Sequence, residues 1–197
     1  NVRVKLIDIL TKKIILNAKL RNTAIALWKI YLSLTVLCAL GYFLSGMTIF
    51  DAVSHSFSTV AIGGFSTHDA SIGYFNSISI EMVAMFFMFL AGINFSLHFL
   101  AWNNKSLIDY IKDSEFKTYA MVLFASSVIV ITALGLNSEY GSSIETIRHS
   151  LFQTVSIATT TGYTSQSFSS WPAAIPVFLI MMSFIGACVG STGGGIK

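Results

Sequence analysis

From His149 to Ile196 the chain carries no aspartate, glutamate, lysine or arginine. An uncharged run of that length belongs in lipid, where a crossing helix needs roughly 20 apolar residues. Three more windows are free of charge: Ile30 to Phe50, Met82 to Asn104 and Tyr119 to Ser138. The fourth span is expected near Trp171-Pro172, with Ser170 ahead of a proline that suits the first helical position. Only 11% of residues are charged, against about 25% in soluble domains, too few to coat a water-facing surface. The composition therefore points to an all-α membrane protein.

Charge sets the expected orientation. Arg3, Lys5, Lys12, Lys13, Lys19 and Arg21 precede the first span, and Lys105, Lys112 and Lys117 lie between the second and third. The segment 66–76 between the first two spans has Asp69 and no Lys or Arg. By the positive-inside rule the N-terminal side and the 102–117 connection face the cytoplasm. Lys29, at the inner edge of its span, is expected to snorkel to the headgroups. Cys38 and Cys188 fall in apolar segments and read as packing residues. No cleavable signal peptide is legible. The chain starts without Met and stops at Lys197, so a fragment is expected.

Inside the uncharged run sits ATTTGYTS (Ala158–Ser165), small polar residues around a glycine that suit neither a helix nor hydrocarbon. An earlier segment shares its plan. Thr48–Thr67 and Ser142–Ser165 each open on a polar or acidic helix start, Thr48/Asp51 and Ser143/Glu145. Each then passes through His-Ser (His55-Ser56, His149-Ser150) and ends in small residues around Gly64 or Gly162. A shift of 98 residues lays Gly64-Phe65-Ser66-Thr67 on Gly162-Tyr163-Thr164-Ser165. Both segments are too long for a tight turn and too apolar for water, as expected of hairpins that dip into the membrane. The chain then reads as a basic segment 1–23, a helix–re-entrant pore loop–helix repeat 24–104, a cytoplasmic linker 105–117, and a second repeat 118–197.

Non-helical backbone at membrane depth must be buried in protein or line a wet cavity. There its carbonyl oxygens can replace the hydration water of a cation, and glycine permits the backbone angles that aim them. A short helix before each loop would add the negative end of its dipole. The expected filter residues are Ile62, Gly63, Gly64 and Phe65 in one loop and Thr160, Thr161, Gly162 and Tyr163 in the other. Neither loop holds an acid, so any selectivity would come from carbonyl geometry and suit a monovalent ion.

At HSFSTVAIGGFSTHDASIGYF (55–75), TTTGYTS (159–165) and GACVGSTGGGIK (186–197) the sequence resembles the Trk/Ktr/HKT potassium transporter superfamily, and within it the bacterial Trk-type pore subunits. The match runs from about residue 20 to the end. Members of that superfamily resemble a potassium channel folded into one chain, with four helix–pore loop–helix repeats around a central pathway. This chain corresponds to the second and third. The resemblance implies the pore-forming subunit of a potassium uptake system, with potassium held by the carbonyls of Gly63, Gly64, Thr161 and Gly162. Gly190, Ser191, Thr192, Gly193, Gly194, Gly195 and Lys197 would form an intramembrane gate loop, made mobile by its glycines. A homodimer in the bacterial inner membrane is implied, served by a cytoplasmic nucleotide-binding regulatory subunit of the TrkA type. Channel-like passage and symport with sodium or protons both stay open. Potassium is cargo, and no organic cofactor is expected.

GSTGGGIK also resembles a phosphate-binding loop, but Ile196 separates the last glycine from the lysine and no strand precedes it. A plain helix C-cap is the alternative there. Asn94 and His98, four apart, share a helix face that could line the pore or hydrogen-bond between helices. Glu81 is expected at the interface, and Asp51 and Glu145 at helix starts, where the dipole favours them. No residue pattern suggests an enzyme or nucleic-acid binding. Two other functional readings remain: a dimeric channel of the two-pore-domain kind, and a non-conducting membrane binding or scaffold protein.

Overall fold

The computed structural model describes residues 2–136, 143–168 and 171–196, with side chains from residue 20 onward except that of Ser143. Ser142, Ser170 and Lys197, each given a place above, lie outside the described residues. Every regular element among the described residues is helical, as the composition requires.

Helix α1 (Val2–Leu44) contains a span from Leu20 to Leu44. It stops six residues before the end of the uncharged window because Gly46 adopts φ +105°. Met47 N then donates to Tyr42 O at 3.1 Å and Gly46 N to Phe43 O at 3.1 Å, the pair of bonds that closes a helix on a left-handed glycine. Ile49 and Phe50 belong instead to α2 (Ile49–Val60), which turns back into the protein. Thr48 caps α2: its hydroxyl oxygen accepts from Asp51 N at 3.1 Å and its proton goes to Asp51 Oδ2 at 2.7 Å.

The second span is not continuous. Helices α3 (Ile78–Ala91) and α4 (Phe95–Asn104) meet at a 91° bend. Gly92 lies against the Tyr119 hydroxyl so closely that a Cβ would overlap it, and the Asn94 side chain caps α4 by accepting from Ser96 N at 2.8 Å. Asn94 and His98 stay one turn apart at the start of α4, where His98 N donates to Asn94 O at 3.3 Å. His98 bonds Leu90 O through Nε2 (2.9 Å) and the Tyr110 hydroxyl through Nδ1 (2.8 Å). It adds a second partner to the Leu90 carbonyl, which also accepts from Ile93 N at 3.0 Å, next to the break.

After the short α5 (Ile108–Lys112), α6 (Ser114–Leu136) makes the next crossing and α7 (Ser143–Ala158) the second inward-pointing helix. Helix α8 (Ala174–Ile185) starts two residues after Pro172, whose carbonyl accepts from Ile175 N at 2.8 Å. The cysteines are free and buried. The apolar faces of α1, α6 and α8 look outward, with Val36, Leu40, Phe124, Ile180 and Phe184 exposed, as helices in lipid do.

Candidate ion pathway

The turns that lead into the two re-entrant loops repeat three backbone hydrogen bonds at the 98-residue shift. Ala61 N to Phe57 O and Thr159 N to Val155 O are both 3.0 Å. Ile62 N to Thr59 O (3.1 Å) matches Thr160 N to Ile157 O (2.9 Å), and Gly63 N to Ser58 O (2.7 Å) matches Thr161 N to Ser156 O (2.9 Å). The torsions repeat as well. Ile62 (φ +54°) and Thr160 (φ +70°) are left-handed, and so are Gly64 (φ +68°) and Gly162 (φ +88°), while the residue between each pair is not. In a β-strand successive carbonyls point opposite ways. Alternating handedness instead gathers N–H groups on one side and C=O groups on the other.

The carbonyls of Ile62, Gly63, Gly64, Phe65, Thr160, Thr161 and Gly162 accept no hydrogen bond among the described residues. Tyr163 differs: its carbonyl takes the Ser156 hydroxyl at 2.7 Å. Its ring is fully buried, and its hydroxyl donates to His55 O at 3.2 Å and hydrogen-bonds Thr59 Oγ1 at 3.2 Å, which in turn bonds the Tyr42 hydroxyl at 2.7 Å. A tyrosine of the second loop thus locks into the helix of the first. The loops also touch directly, since a Cβ on Gly64 would overlap the Thr161 carbonyl oxygen.

The glycine register corrects the His-Ser pairing. His149 stands where Asp51 does and Gln153 where His55 does, one helical turn away from the sequence match. The contacts agree. Asp51 Oδ1 accepts from Thr67 Oγ1 (2.7 Å) and His149 Nδ1 bonds Ser165 Oγ (3.0 Å). His55 Nε2 bonds Ser66 Oγ (2.9 Å), and Gln153 Nε2 donates to Gln166 O (2.7 Å). Each pair ties its helix to the segment that leaves its loop. At Asp51 the Thr67 hydroxyl, then that of Thr48, holds the carboxyl below the ordinary aspartate value of 3.8. A depressed value means stability present above pH 3.8 and lost as the pH falls below it. Thr67→Val is expected to be less stable than the parent at pH 6, with the gap shrinking below pH 3.8. A gap independent of pH would show that the hydroxyl does not hold the carboxylate.

Below the loops, the Gly-rich segment leaves α8 at Gly186 rather than at Gly190, and folds into a closed turn in which Ile196 N returns to Phe184 O (2.7 Å). It takes up the carbonyls freed at the α3–α4 break: Cys188 N donates to Gly92 O (3.0 Å) and Thr192 N to Ala91 O (3.3 Å). It also reaches the end of α2 and the second loop, with Thr192 Oγ1 donating to Val60 O (2.8 Å) and Gly194 N to Thr160 Oγ1 (2.8 Å). Val189 N is held by Glu115 Oε1 at 2.6 Å. Gly193 is wedged, not loose; its Cβ would come within 2.5 Å of the Ala187 methyl.

Three contacts were not visible in the sequence: the Tyr42–Thr59–Tyr163 hydroxyl chain, Glu115 on the loop, and an ion pair across the two repeats. Glu81 is 1% exposed instead of interfacial, and both its oxygens accept from Arg148 (Nε and Nη2, each 2.8 Å). A carboxylate at the start of an apolar helix and a lone arginine inside an inward helix were the available signal.

The chain matches the family described as TrkH, cation transport protein, over residues 10–197. It is 50% identical over 184 residues to the Trk system potassium uptake protein TrkH of Halomonas elongata, covering 92% of this chain and 38% of that protein. To the Trk system potassium uptake protein TrkG of Escherichia coli it is 41% identical over 187 residues, covering 92% and 37%. The crystal structure of the potassium transporter TrkH from Vibrio parahaemolyticus superimposes with a TM-score of 0.87 at 48% identity, over 89% of this chain and 38% of that one. This chain thus spans little more than a third of the length of these relatives. With matched sequence, matched fold and a repeated pair of re-entrant loops, the chain belongs to the TrkH family of membrane cation transport proteins.

Proposed function

We propose that this chain supplies part of the conducting pathway of a potassium uptake subunit. Monovalent cations pass the carbonyls of residues 62–65 and 160–162, and the Gly-rich turn at 186–196 sets resting conduction. The observation that carries this is the pair of loops with the same alternation of torsion sign and unclaimed carbonyl oxygens. The names of the relatives support potassium as the cargo. The basic N-terminal side and 105–117 linker face the cytoplasm in this reading, where the linker meets a nucleotide-binding regulatory partner, and the protein works as a dimer in the inner membrane.

The test is uptake by the natural gene product in bacteria lacking their own potassium uptake systems. Growth at low potassium and rubidium influx are expected; a preference for divalent ions or anions would overturn the proposal. Glu115 offers a finer test of the turn. Losing a hydrogen bond between a charged acceptor and an exposed amide costs roughly 1.5 kcal/mol, so Glu115→Ala is expected to speed hydrogen exchange across 186–196 about tenfold and raise resting flux. Unchanged exchange would mean that Glu115 does not hold the turn.

A further inference from the structure

An open groove of about 1140 Å³ runs between α1, α4 and the start of α5. That exceeds the roughly 300–1,000 Å³ of an ordinary small-molecule pocket. Its walls are apolar, among them Ile25, Leu34, Leu37 and Phe99, and two lysines line it, Lys29 and Lys105. No acid lines it, and among the described residues neither lysine has an ion-pair or hydrogen-bond partner for its ammonium group. Trp28 and Trp102 stand 70% and 77% exposed beside these lysines in the chain, the amphipathic rings that collect at headgroup level. At 1.5 Å per residue Lys29 lies about 22 Å from the Leu44 end of α1. It is thus most of the way across a core of about 30 Å, within snorkelling reach of the far headgroups. Lys105 follows the last residue of α4 with φ +49° and leaves that helix at the turn into the 105–117 linker. Beside it, Ser106 Oγ accepts from Ile108 N at 3.2 Å, which leaves the hydroxyl proton to donate.

We propose that this groove is a binding site for an anionic glycerophospholipid of the leaflet that meets the chain's basic segments. The acyl chains lie along the apolar walls, and the phosphate is held by the Lys29 and Lys105 ammonium groups with the Ser106 hydroxyl. Charge complementarity selects this occupant, because a protein segment seated here would have to bring its own acids to two unpartnered lysines. The site is separate from the ion pathway, and its fate does not depend on what the protein conducts.

The experiment is native mass spectrometry of the natural gene product with phosphatidylglycerol or phosphatidylethanolamine of identical acyl chains. Two lysines near a charged headgroup predict about tenfold preferential retention of the anionic lipid. The preference should vanish in the Lys29→Gln/Lys105→Gln variant and persist in Lys112→Gln/Lys117→Gln. Equal retention of the two lipids, or a preference indifferent to the first pair, overturns the site. A second arm leaves the lysines intact: benzoylphenylalanine in place of Ser33, which lines the groove, is photoactivated in native membranes. A phospholipid adduct supports the site. An adduct to another segment or to a second copy overturns it.

Discussion

Arg148→Ala is expected to lower stability by about 3–5 kcal/mol, because it strands the Glu81 carboxylate with no counter-charge. The low end is the better expectation, since the Arg148 side chain keeps 16% of its surface in solvent while Glu81 keeps 1%. The guanidinium fork meets both carboxylate oxygens, and Nη2 also donates to Asn76 Oδ1 at 3.2 Å. Three side chains from two repeats are thus joined at one point, α7 on one side and the entrance to α3 on the other. Glu81→Gln should cost less, because the amide oxygen still accepts from arginine and the guanidinium that loses its counter-charge keeps 16% of its side-chain surface in solvent. The pair Glu81→Met/Arg148→Met should recover most of the loss, since replacing both partners by apolar groups is often near neutral. Thermal unfolding in detergent reads all three. A loss below about 1 kcal/mol for Arg148→Ala would class the pair with solvent-exposed bridges and remove it as the tie between the repeats.

The two loop glycines should respond to alanine in different ways. Gly64→Ala combines left-handed strain, about 1–2 kcal/mol, with overlap on the Thr161 carbonyl oxygen. That atom belongs to backbone and cannot swing aside, so the loops must separate; uptake should be abolished and the unfolding midpoint should fall. Gly162→Ala meets no heavy atom within 4 Å among the described residues. Strain alone should shift its stability, yet the methyl group would stand in the space that the proposed pathway uses. Gly162→Ala is therefore expected to fold with a midpoint lowered by that strain alone, less than in Gly64→Ala, and to lose most of its uptake. Parental flux in a well-folded Gly162→Ala protein would place Gly162 off the pathway.

What the sequence made legible followed from hydropathy and repetition. Lipid-crossing helices declare themselves by the absence of charge, and two loops of equal length declare themselves by a constant shift. The break at Gly92 was hidden because residues 82–104 are uniformly uncharged, and hydropathy does not record direction. What bends the chain there is the Tyr119 hydroxyl packed on Gly92 and the Cys188 and Thr192 amides on the freed carbonyls, all distant in sequence. The His-Ser match misled by one helical turn, a displacement that keeps both pairs on the same helix face. Glu81 was misplaced for a related reason. A carboxylate near the end of an apolar helix normally reaches water, and only the fold shows an arginine 67 residues later closing over it.

Tyr163 and Gly64 together give the contact between the repeats a direction. The second repeat offers a tyrosine and a carbonyl, and the first offers a hydroxyl-bearing helix and a bare Cα. Such an interface is heterologous: the surface that gives is not the surface that receives, so a pair leaves one of each unused. The residue matching Tyr163 in the first repeat is Phe65, and it is 82% exposed. Neighbours joined in this fashion either close on themselves or continue indefinitely. In a closed arrangement of that kind, Phe65 would be the half of the contact that this pair leaves unused.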